Sequence, residues 1–395
     1  MSDTTLAVPS LSRLWTRDYL LQLGSVFLVS SSFYVLLPLL PVYVTDVWAG
    51  TLSQVGLLAT VMSASAVPAR LFGGWACDRW GRRPVQIGSL ALFALISLGY
   101  PLASSLTALL AVRLLYGLPF GGVTAANVTV TSDLVPEQRR GEGLGYYTLA
   151  QTLALAIFPV LAFRLLGRFG YLWLFWLAVW LLLGSVILAA LIRHPDVRDP
   201  AVRLNLRGLL ERRIGWLSLL EFLVALGYAG AISFISLHAT RVGVSNGGIF
   251  YSLYAAGAAV VRPVAGKLYD RRGPNLPVLG GLGGMALAYA LLAVWEAPAG
   301  FYLGSLVYGI GLGALTPSVT AMAVSLVPPA RRGAATATLF AGFDVGMVVG
   351  PLMTGLAAEG PGGYRLMFAL AAVLIVPAVV LYLLKVRPQF EGRRT

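Results

Sequence analysis

The chain repeats itself at a fixed distance of 192 positions, and this repeat constrains the fold more than any other feature. The stretch RLFGGWACDRWG at 70–81 is matched by RPVAGKLYDRRG at 262–273. The same offset pairs further residues: Gly117 with Gly309, Gly121 with Gly313, Gly141 with Gly333, and Pro159 with Pro351. A register kept from position 70 to position 159 indicates two copies of one structural unit. Such a chain is expected to work where its two copies meet.

The composition predicts that both copies lie in a membrane. Apolar residues make up 58% of the chain and charged residues 11%, against about 45–50% and about 25% in soluble domains. Twelve apolar stretches are each about 18–28 residues long, which is enough to cross a bilayer as a helix. Strands of a membrane barrel would show alternating segments of about 10 residues, and we find none. We therefore predict an all-α membrane protein with twelve transmembrane helices in two pseudo-symmetric six-helix bundles.

Charge clusters divide the chain. We predict a cytoplasmic tail at 1–18, an N-terminal bundle at 19–193, a linker at 194–213, a C-terminal bundle at 214–386 and a second cytoplasmic tail at 387–395. The first apolar segment is too long for a cleaved signal peptide and should remain as a helix. With both termini in the cytoplasm, 23 of the 29 Arg and Lys residues fall in or beside cytoplasmic segments. This follows the positive-inside rule and predicts a multi-pass protein of the inner (plasma) membrane.

Several functions are disfavoured by the same inventory. The net charge of +13 is explained by topology, so we expect no nucleic-acid partner. One Cys and two His are too few for a thiolate or imidazole metal site. No paired acids or nucleophile–base sets occur at membrane depth, so we do not expect an enzyme. We expect a monomer in the lipid bilayer that handles a small-molecule substrate and needs no cofactor, with a proton gradient as its energy source.

The string GWACDRWGRR at 74–83 resembles the signature loop of the major facilitator superfamily, G-x-x-x-D-R-x-G-R-[RK], at every fixed position. The second copy keeps Gly266, Asp270, Arg271 and Gly273 but has Pro-Asn where the basic pair should be. Arg113, followed by Gly117 and Gly121, is similar to a further pattern of that family. The resemblance covers the whole chain and implies a transporter with the major facilitator fold.

The resemblance also assigns a conformational switch to the signature loop. In the family, the equivalent of Asp78 lies against the start of span eleven, here near Arg332, and helps to hold the outward-facing state. The helix dipole favours a carboxylate at that point. The residues expected to take part in the switch are Gly74, Asp78, Arg79, Gly81, Arg82, Arg83, Asp270 and Arg271. The alternative is that the arginines only anchor the loop to anionic lipid.

A narrower resemblance concerns bacterial exporters. The stretch RGEGLGY at 140–146 matches one of their motifs completely, whereas Leu71 replaces the proline of another. Drug/proton antiporters also carry G-x-x-x-G-P-x-x-G-G in span five. Here Pro159 lacks those glycines, and the better copy is Gly350-Pro351 in span eleven. The resemblance therefore implies efflux of a small molecule, with antiport less firmly indicated than the fold.

Ionisable residues within the predicted spans need a reason, because each costs at least about 2.5–3.5 kcal/mol on insertion scales. Asp344 lies about 18 Å from the cytoplasmic start of its helix, near the midplane. It could couple protons or bind a cationic group, or it could be a structural partner for an arginine. Glu221 lies two turns into span seven and has either a site role or a gate role. Arg113 is expected to pair with a carboxylate across the cavity or to satisfy backbone carbonyls, and Arg70 is expected in a gate ion pair.

Polar and aromatic residues on several spans are candidates for the cavity wall. The residues predicted to bind substrate or protons besides Asp344, Arg113 and Glu221 are Tyr34, Asn127, Gln151, Tyr228 and Tyr254. Phe33, Tyr147, Tyr251 and Phe343 are further candidates. The sequence thus predicts export of a small amphipathic or cationic molecule by proton antiport with alternating access. The alternative is a carrier of the same fold for a sugar, an amino-acid-like metabolite or a metallophore, without multidrug activity or necessarily proton coupling.

Overall fold

The computed structural model describes residues 14–194, 211–328 and 331–391. Within these ranges the chain is helical apart from short turns, and no strand is present. Eleven of the described helices are long and apolar enough to cross a membrane. One of them, Arg140–Ala190, is 51 residues long and is broken at Gly170, where φ is 75°. It therefore supplies two spans, and the twelve predicted spans are all accounted for.

The first bundle contains α1 to α6, each long enough to cross the bilayer. Their bounds are Arg17–Trp48 for α1, Leu52–Trp80 for α2, Arg82–Ser97 for α3, Leu106–Leu134 for α4, and Arg140–Ala190 for α5 and α6, which meet at Gly170. A single turn, Gly99–Leu102, extends α3, and a short 3₁₀ turn, Glu137–Arg139, precedes α5.

The second bundle contains α7 to α12. Their bounds are Gly215–Arg241 for α7, Ile249–Arg272 for α8, Asn275–Val294 for α9, Pro298–Ser325 for α10, Arg332–Glu359 for α11 and Gly363–Leu381 for α12. A 3₁₀ turn, Arg212–Ile214, leads into α7. After α12 the chain continues through a wide turn, Tyr382–Val386, and a short helix, Arg387–Glu391. Most of the predicted linker, 195–210, lies outside the described residues.

Hydroxyl side chains cap the starts of α1, α2 and α4, and glycine ends α2 and α8. Thr51 forms a capping box with Gln54 at the start of α2, which satisfies backbone N–H groups that have no partner inside the helix. At the other end of α2, Gly81 has a φ of 97°, and its repeat mate Gly273 ends α8 with a φ of 77°. Only glycine adopts this conformation without strain. The matched glycines thus allow the same sharp turn in both copies of the signature loop.

Matched glycines also bring helices close together inside each bundle. A Cβ on Gly117 would strike the carbonyl of Met62, so α4 packs directly on the backbone of α2. A Cβ on Gly309 would strike the carbonyl of Tyr254, so α10 packs on α8 in the same way. Small residues permit such close helix contacts in membranes.

We call the membrane face that carries Gly81 and Gly273 the signature face, and the other face the opposite face. The two bundles meet through α2 with α11, α5 with α8, and α1 with α7. Near the opposite face Ser53 donates its backbone N–H to Glu359 at 2.8 Å. Further hydrogen bonds from Thr60, Asn246 and Ser252 to the facing bundle also lie in the half nearer the opposite face, and an ion pair of Arg70 joins the bundles at greater depth. The structure is therefore closed at the opposite face.

The last described residues form a packed element. Phe390 is buried, and Gln389 donates its side-chain amide to the carbonyl of Arg213 at 2.7 Å. The segment 387–391, which we predicted to be part of a charged tail, is thus a helix that contacts the start of α7. At the other end of the chain, α1 begins at Arg17, two residues before the predicted start of the bundle at 19.

Candidate functional site

A cavity of 340 Å³ lies between the two bundles. Its walls come from α1, α2 and α4 of the first bundle and from α7 and α11 of the second. The aromatic lining residues are Phe33, Phe120, Tyr228, Phe340 and Phe343, and the ionisable ones are Arg70, Arg113 and Asp344. An apolar cavity with a few convergent polar groups is the usual form of a small-molecule site.

An ion pair joins the two bundles in the wall of this cavity. Nη1 of Arg70 on α2 lies 2.7 Å from both carboxylate oxygens of Asp344 on α11. Nε of Arg70 also donates to the hydroxyl of Thr124 at 3.3 Å. The Asp344 side chain is 14% exposed and the Arg70 side chain 35%. Arg70 and Asp344, which the sequence singled out separately, thus form one ion pair between the bundles.

Arg113 is buried in α4 and faces the same cavity. Its Nη1 lies 3.1 Å from the sulfur of Met62, and its guanidinium carbon is 5.5 Å from the ring centre of Tyr116 and 6.0 Å from that of Tyr100. Each ring contributes about 0.5–2 kcal/mol to holding the cation, whereas an ionised group in the bilayer costs at least about 2.5–3.5 kcal/mol. Among the described residues Arg113 lies against sulfur and aromatic rings, not against the carboxylate that we expected.

Glu221 is buried in α7, with 4% of its surface exposed. It does not line the central cavity, and no described residue pairs with it in a salt bridge. The helix around it is buried on most sides, with Leu217, Leu220 and Val224 in the core. The structure therefore places Glu221 inside the second bundle, separate from the ion pair of Arg70.

The predicted tyrosines lie near one another at the centre of the molecule. Tyr34 of the first bundle lines one pocket with Tyr147, and its ring centre lies 5.3 Å from that of Phe33. Tyr228 lies in the cavity wall, with its ring centre 5.3 Å from that of Phe343. Tyr254 packs against Tyr308, with ring centres 5.7 Å apart. Tyr251 is buried and donates its hydroxyl to the carbonyl of Ile232 at 3.0 Å.

A smaller pocket of 70 Å³ in the first bundle holds the predicted amide residues. It is lined by Tyr34, Asn127, Tyr147 and Gln151 and shares Phe33 and Phe120 with the central cavity. Asn127 also accepts a hydrogen bond from Gln86 at 2.8 Å, and Gln86 contacts a ring nitrogen of His194 at 2.6 Å. Asn127 therefore belongs both to the pocket and to a buried polar network that ties α3 and α4 to the end of α6.

The signature loop forms its ion pairs within the first bundle. Arg82 at the start of α3 lies 3.1 Å from Asp78 and 2.7 Å from Asp133, and it also donates to the carbonyl of Cys77 at 3.1 Å. This arginine thus fastens the end of α2 to the end of α4. The described ion pair of Asp78 is with Arg82, and the contact with the start of α11 that the family resemblance implies for the outward-facing state stays a prediction.

The remaining switch residues lie around this loop. Arg79 stacks over the ring of Trp75 at 5.5 Å. Gly74 has open space around its Cβ position, and Arg83 is exposed. In the second copy Asp270 and Arg271 are exposed at the end of α8. The structure therefore groups the switch residues at the signature face of both bundles.

A larger groove of 560 Å³ lies on the outer surface of the first bundle, between α2, α3 and α4. It contains no ionisable residue and is lined by exposed apolar side chains such as Phe72, Trp80 and Leu92. This position suits contact with lipid. The smaller central cavity, which both bundles and three ionisable residues form, is the better candidate for a transport site.

The sequence similarity to two relatives covers nearly the whole chain. It is 24% identical over 381 residues to the multi-drug resistance efflux pump PmrA of Streptococcus pneumoniae, covering 91% of this chain and 94% of that protein. It is 26% identical over 387 residues to the multidrug resistance protein MdtG of Citrobacter koseri, covering 92% and 93%.

Solved structures show the same fold at lower identity. The nucleoside transporter NupG superposes with a TM-score of 0.76 at 16% identity, covering 93% of this chain and 99% of that one. A POT family transporter in complex with 5-aminolevulinic acid superposes with a TM-score of 0.78 at 13% identity, covering 94% and 96%.

The sequence features, the two-bundle architecture and the central cavity point to one family. The family model of the Major Facilitator Superfamily matches residues 23–301 and 217–395. The chain is therefore a multi-pass membrane transporter that belongs to the Major Facilitator Superfamily.

Proposed function

We propose that this transporter exports a small amphipathic molecule in exchange for protons, by alternating access of the central cavity. The observation that carries this proposal is the ion pair between Arg70 and Asp344, which bridges the two bundles in the cavity wall at 2.7 Å. The Asp344 carboxylate lies in the wall of the cavity, where a substrate would bind, and it also takes part in the contact between the bundles. The names of the relatives PmrA and MdtG, both multidrug resistance proteins, favour export.

We assign the signature face to the cytoplasm of a cell bounded by an inner membrane. The support is the distribution of Arg and Lys, of which 23 of 29 lie at or near this face by the predicted topology. Both termini then lie in the cytoplasm. With this orientation the structure, closed at the opposite face, corresponds to the inward-open state.

The proton step follows from the position of Arg70. While α2 and α11 remain in contact, Arg70 stabilises the ionised form of Asp344, so a proton on Asp344 is released toward the cytoplasm. When the opposite face opens, α2 and α11 separate and Asp344 loses this counter-charge. The carboxylate is then accessible from outside and available to accept a proton. Protonation of Asp344 also removes the ion pair that holds the bundles together in the state seen here.

Exchange requires substrate and proton to compete for one group. A substrate group that donates a hydrogen bond to Asp344 takes the place of both Arg70 and the proton. The loaded carrier can then open outward, and an external proton displaces the substrate from Asp344. The protonated carrier returns and loses its proton when Arg70 pairs with Asp344 again. The empty, ionised carrier stays closed at the opposite face because the ion pair holds it.

We propose further that the protein works as a monomer, without a cofactor and without enzymatic activity. The reasoning is that the bundles enclose the cavity within one chain and that the proton gradient supplies the energy. The chain has one cysteine and two histidines, which are too few for a thiolate or imidazole metal centre.

The test begins with a survival screen in a strain that lacks efflux pumps, to identify a compound that the wild-type protein exports. Everted membrane vesicles with an acidified interior are then given that compound, and the pH gradient is followed with a fluorescent amine. We expect the compound to dissipate the gradient with the wild-type protein and not with Asp344→Asn. The conservative variant Asp344→Glu should retain part of the response.

The matched control is Thr152→Val. Thr152 holds the position of Asp344 in the other copy of the repeat, so this change should leave proton movement intact. Unchanged proton movement in Asp344→Asn, with normal amounts of protein in the membrane, would show that Asp344 is not the coupling group.

A further inference from the structure

We infer that Arg113 binds an anionic group of the substrate, so that the cavity selects amphipathic anions or zwitterions over simple cations. This inference rests on the proposed function, because it specifies the substrate of the same cavity. It departs from the expectation of a cationic substrate, which a membrane-embedded carboxylate alone would favour.

The first argument is the environment of Arg113. Only 4% of this residue is exposed, and among the described residues its Nε has no hydrogen-bond partner. Nη1 has the thioether of Met62, which is a weak acceptor. The rings of Tyr100 and Tyr116 lie 6.0 and 5.5 Å from the guanidinium carbon and attract its positive charge. A buried guanidinium in this condition has donors available for a ligand.

The second argument is the charge balance of the cavity. Its described lining contains three ionisable residues, Arg70, Arg113 and Asp344. Arg70 contacts both oxygens of Asp344, so these two charges compensate each other. The charge of Arg113 has no counter-charge among the described lining residues, so the cavity carries a net charge of +1 in this state. A cation entering it meets a neutralised carboxylate and an unneutralised arginine.

The third argument is the shape of the donor set. A guanidinium presents its N–H groups as a planar fork that matches a carboxylate, sulfonate or phosphonate. The aromatic residues Phe33, Phe120 and Phe343 line the same cavity and supply apolar surface for the body of the molecule. Ser233, another lining residue, donates its hydroxyl to the carbonyl of Ala229 at 2.7 Å. An amphipathic anion is the ligand that this combination fits.

A substrate of this kind changes the electrical cost of transport. Export of one monoanion against entry of one proton moves two charges in the same electrical direction. An inside-negative membrane potential therefore drives the exchange, whereas exchange of a monovalent cation for a proton would not respond to the potential.

The experiment uses purified protein in nanodiscs and a matched set of aromatic probes. The anionic probes are naphthoate, naphthalenesulfonate and naphthylphosphonate, and the cationic probe is naphthylmethylammonium. Binding is measured by thermal stabilisation as a function of probe concentration. We expect at least one anionic probe to stabilise the wild-type protein with an apparent Kd at least tenfold lower than that of the cation. We also expect Arg113→Met to weaken the anion by about tenfold or more.

Two variants keep the test decisive. Arg113→Lys preserves the charge and should retain part of the anion preference. If Arg113→Met does not fold, the comparison is made between Arg113→Lys and the wild-type protein, and anion binding should weaken while cation binding does not change. Stabilisation by the cation alone, stabilisation by none of the probes, or an anion response that neither variant alters would overturn the inference.

The result can be separated from a failure of the proposed function. If Asp344→Asn loses proton coupling and the Arg113 variants keep the ligand preference, this inference alone fails. If the Arg113 variants lose the anion preference and Asp344→Asn keeps proton coupling, the coupling role fails and the anion site stands.

Discussion

The two seams that join the bundles, α2 with α11 and α5 with α8, are nearly identical in their backbone contacts. In one seam Gly56 lies against Pro351, and Thr60 donates its hydroxyl to the carbonyl of Val348 at 2.7 Å. In the other, Gly248 lies against Pro159, and Ser252 donates to the carbonyl of Ala156 at 2.5 Å. Each of the four residues named in one seam is 192 positions from its counterpart in the other.

Among the described residues the seams differ near the opposite face, where Ser53 contacts Glu359 in the first seam and Asn246 donates to the carbonyl of Val160 in the second. Deeper between the bundles they differ in one ion pair. Arg70 in α2 meets Asp344 in α11, whereas its counterpart Arg262 in α8 has Thr152 as the corresponding residue in α5. Arg262 is exposed, and Thr152 donates its hydroxyl to the carbonyl of Thr148 within its own helix at 2.9 Å. The comparison teaches that the repeat supplies the same close backbone contact twice, and that the ion pair of Arg70 with Asp344 is added to only one copy.

The largest effect is expected from Arg70→Gln, with Arg262→Gln as the matched variant in the second seam. Arg70→Gln leaves the Asp344 carboxylate without its counter-charge in the cavity wall, so the proton is no longer released. Export should fall about 100-fold, which corresponds to about 2.7 kcal/mol. Arg262→Gln should change export by less than about threefold, because this arginine is exposed. Initial rates in vesicles measure both, and equal losses in the two variants would remove the distinction between the seams.

The next effect probes what the seams share. Gly56→Val and Gly248→Val each place a side chain against the backbone of the facing helix. Overpacking of this kind costs about 1–3 kcal/mol, so export should fall about tenfold in both variants. Accessibility of an introduced cysteine at the opposite face to a membrane-impermeant thiol reagent should increase in both. A loss confined to one variant would show that the two contacts are not equivalent.

A smaller effect should follow from adding the missing charge to the second seam. Thr152→Asp supplies a carboxylate at the position that corresponds to Asp344, where Arg262 can pair with it. A partly exposed ion pair contributes up to about 1 kcal/mol, so outward opening and export should slow about fivefold. Export should recover in the double variant with Arg262→Gln. If Thr152→Asp exports at the wild-type rate, the second seam does not respond to charge as the first does.

The smallest effect concerns the signature end of α11. The Arg331 guanidinium donates to Glu211 at 3.0 Å and lowers the pKa of that carboxyl below its ordinary value. A lowered pKa in the folded state stabilises the protein above the pH at which an unfolded glutamate titrates, about 4.3. Glu211→Gln should therefore lower the thermal midpoint at pH 7 by about 1 °C.

The control for this prediction lies in the other copy of the repeat. Arg139, which corresponds to Arg331, pairs with Glu142 of its own helix at 2.8 Å. Glu142→Gln should therefore leave the contact between linker and helix intact. As the pH falls through the lowered pKa of Glu211, this carboxylate becomes protonated in the wild-type protein, and the thermal midpoint should approach that of Glu211→Gln. A difference between these two thermal midpoints that grows as the pH falls would contradict the prediction.

The sequence predicted the fold well because its signals are local or repeated. Apolar length predicts the helices, and the offset of 192 predicts their equivalence. The same offset relates the residues of the two seams, since Gly56 corresponds to Gly248 and Thr60 to Ser252. We did not identify these pairs as contacts, because small and hydroxyl residues are frequent in membrane helices and no pattern marks the helix that faces them.

The site was predicted less completely, for a different reason. Arg70 and Asp344 were each singled out, but their contact joins residues 274 positions apart in two separate bundles. The same limit applies to Arg113, whose sulfur and ring contacts with Met62 and Tyr116 have no charge pattern in the sequence. Depth in the membrane can be counted from a helix end, whereas the orientation of a side chain around the helix depends on packing.

The central claim is that the protonation of Asp344 controls the seam between α2 and α11. It is tested by the distance between spin labels on Cys introduced at Ser104 and Ala299, on the opposite face of the two bundles, in a Cys77→Ala background in nanodiscs. As the pH is lowered, we expect the distance to lengthen in the protein with Asp344, because the ion pair is lost and the opposite face opens. In Asp344→Asn, which lacks the ion pair, both the short and the long distance should be populated, in proportions that do not change with pH. A pH-dependent distance that is the same with Asp344 and with Asn at this position, or a distance that does not change with pH in either protein, would contradict the claim.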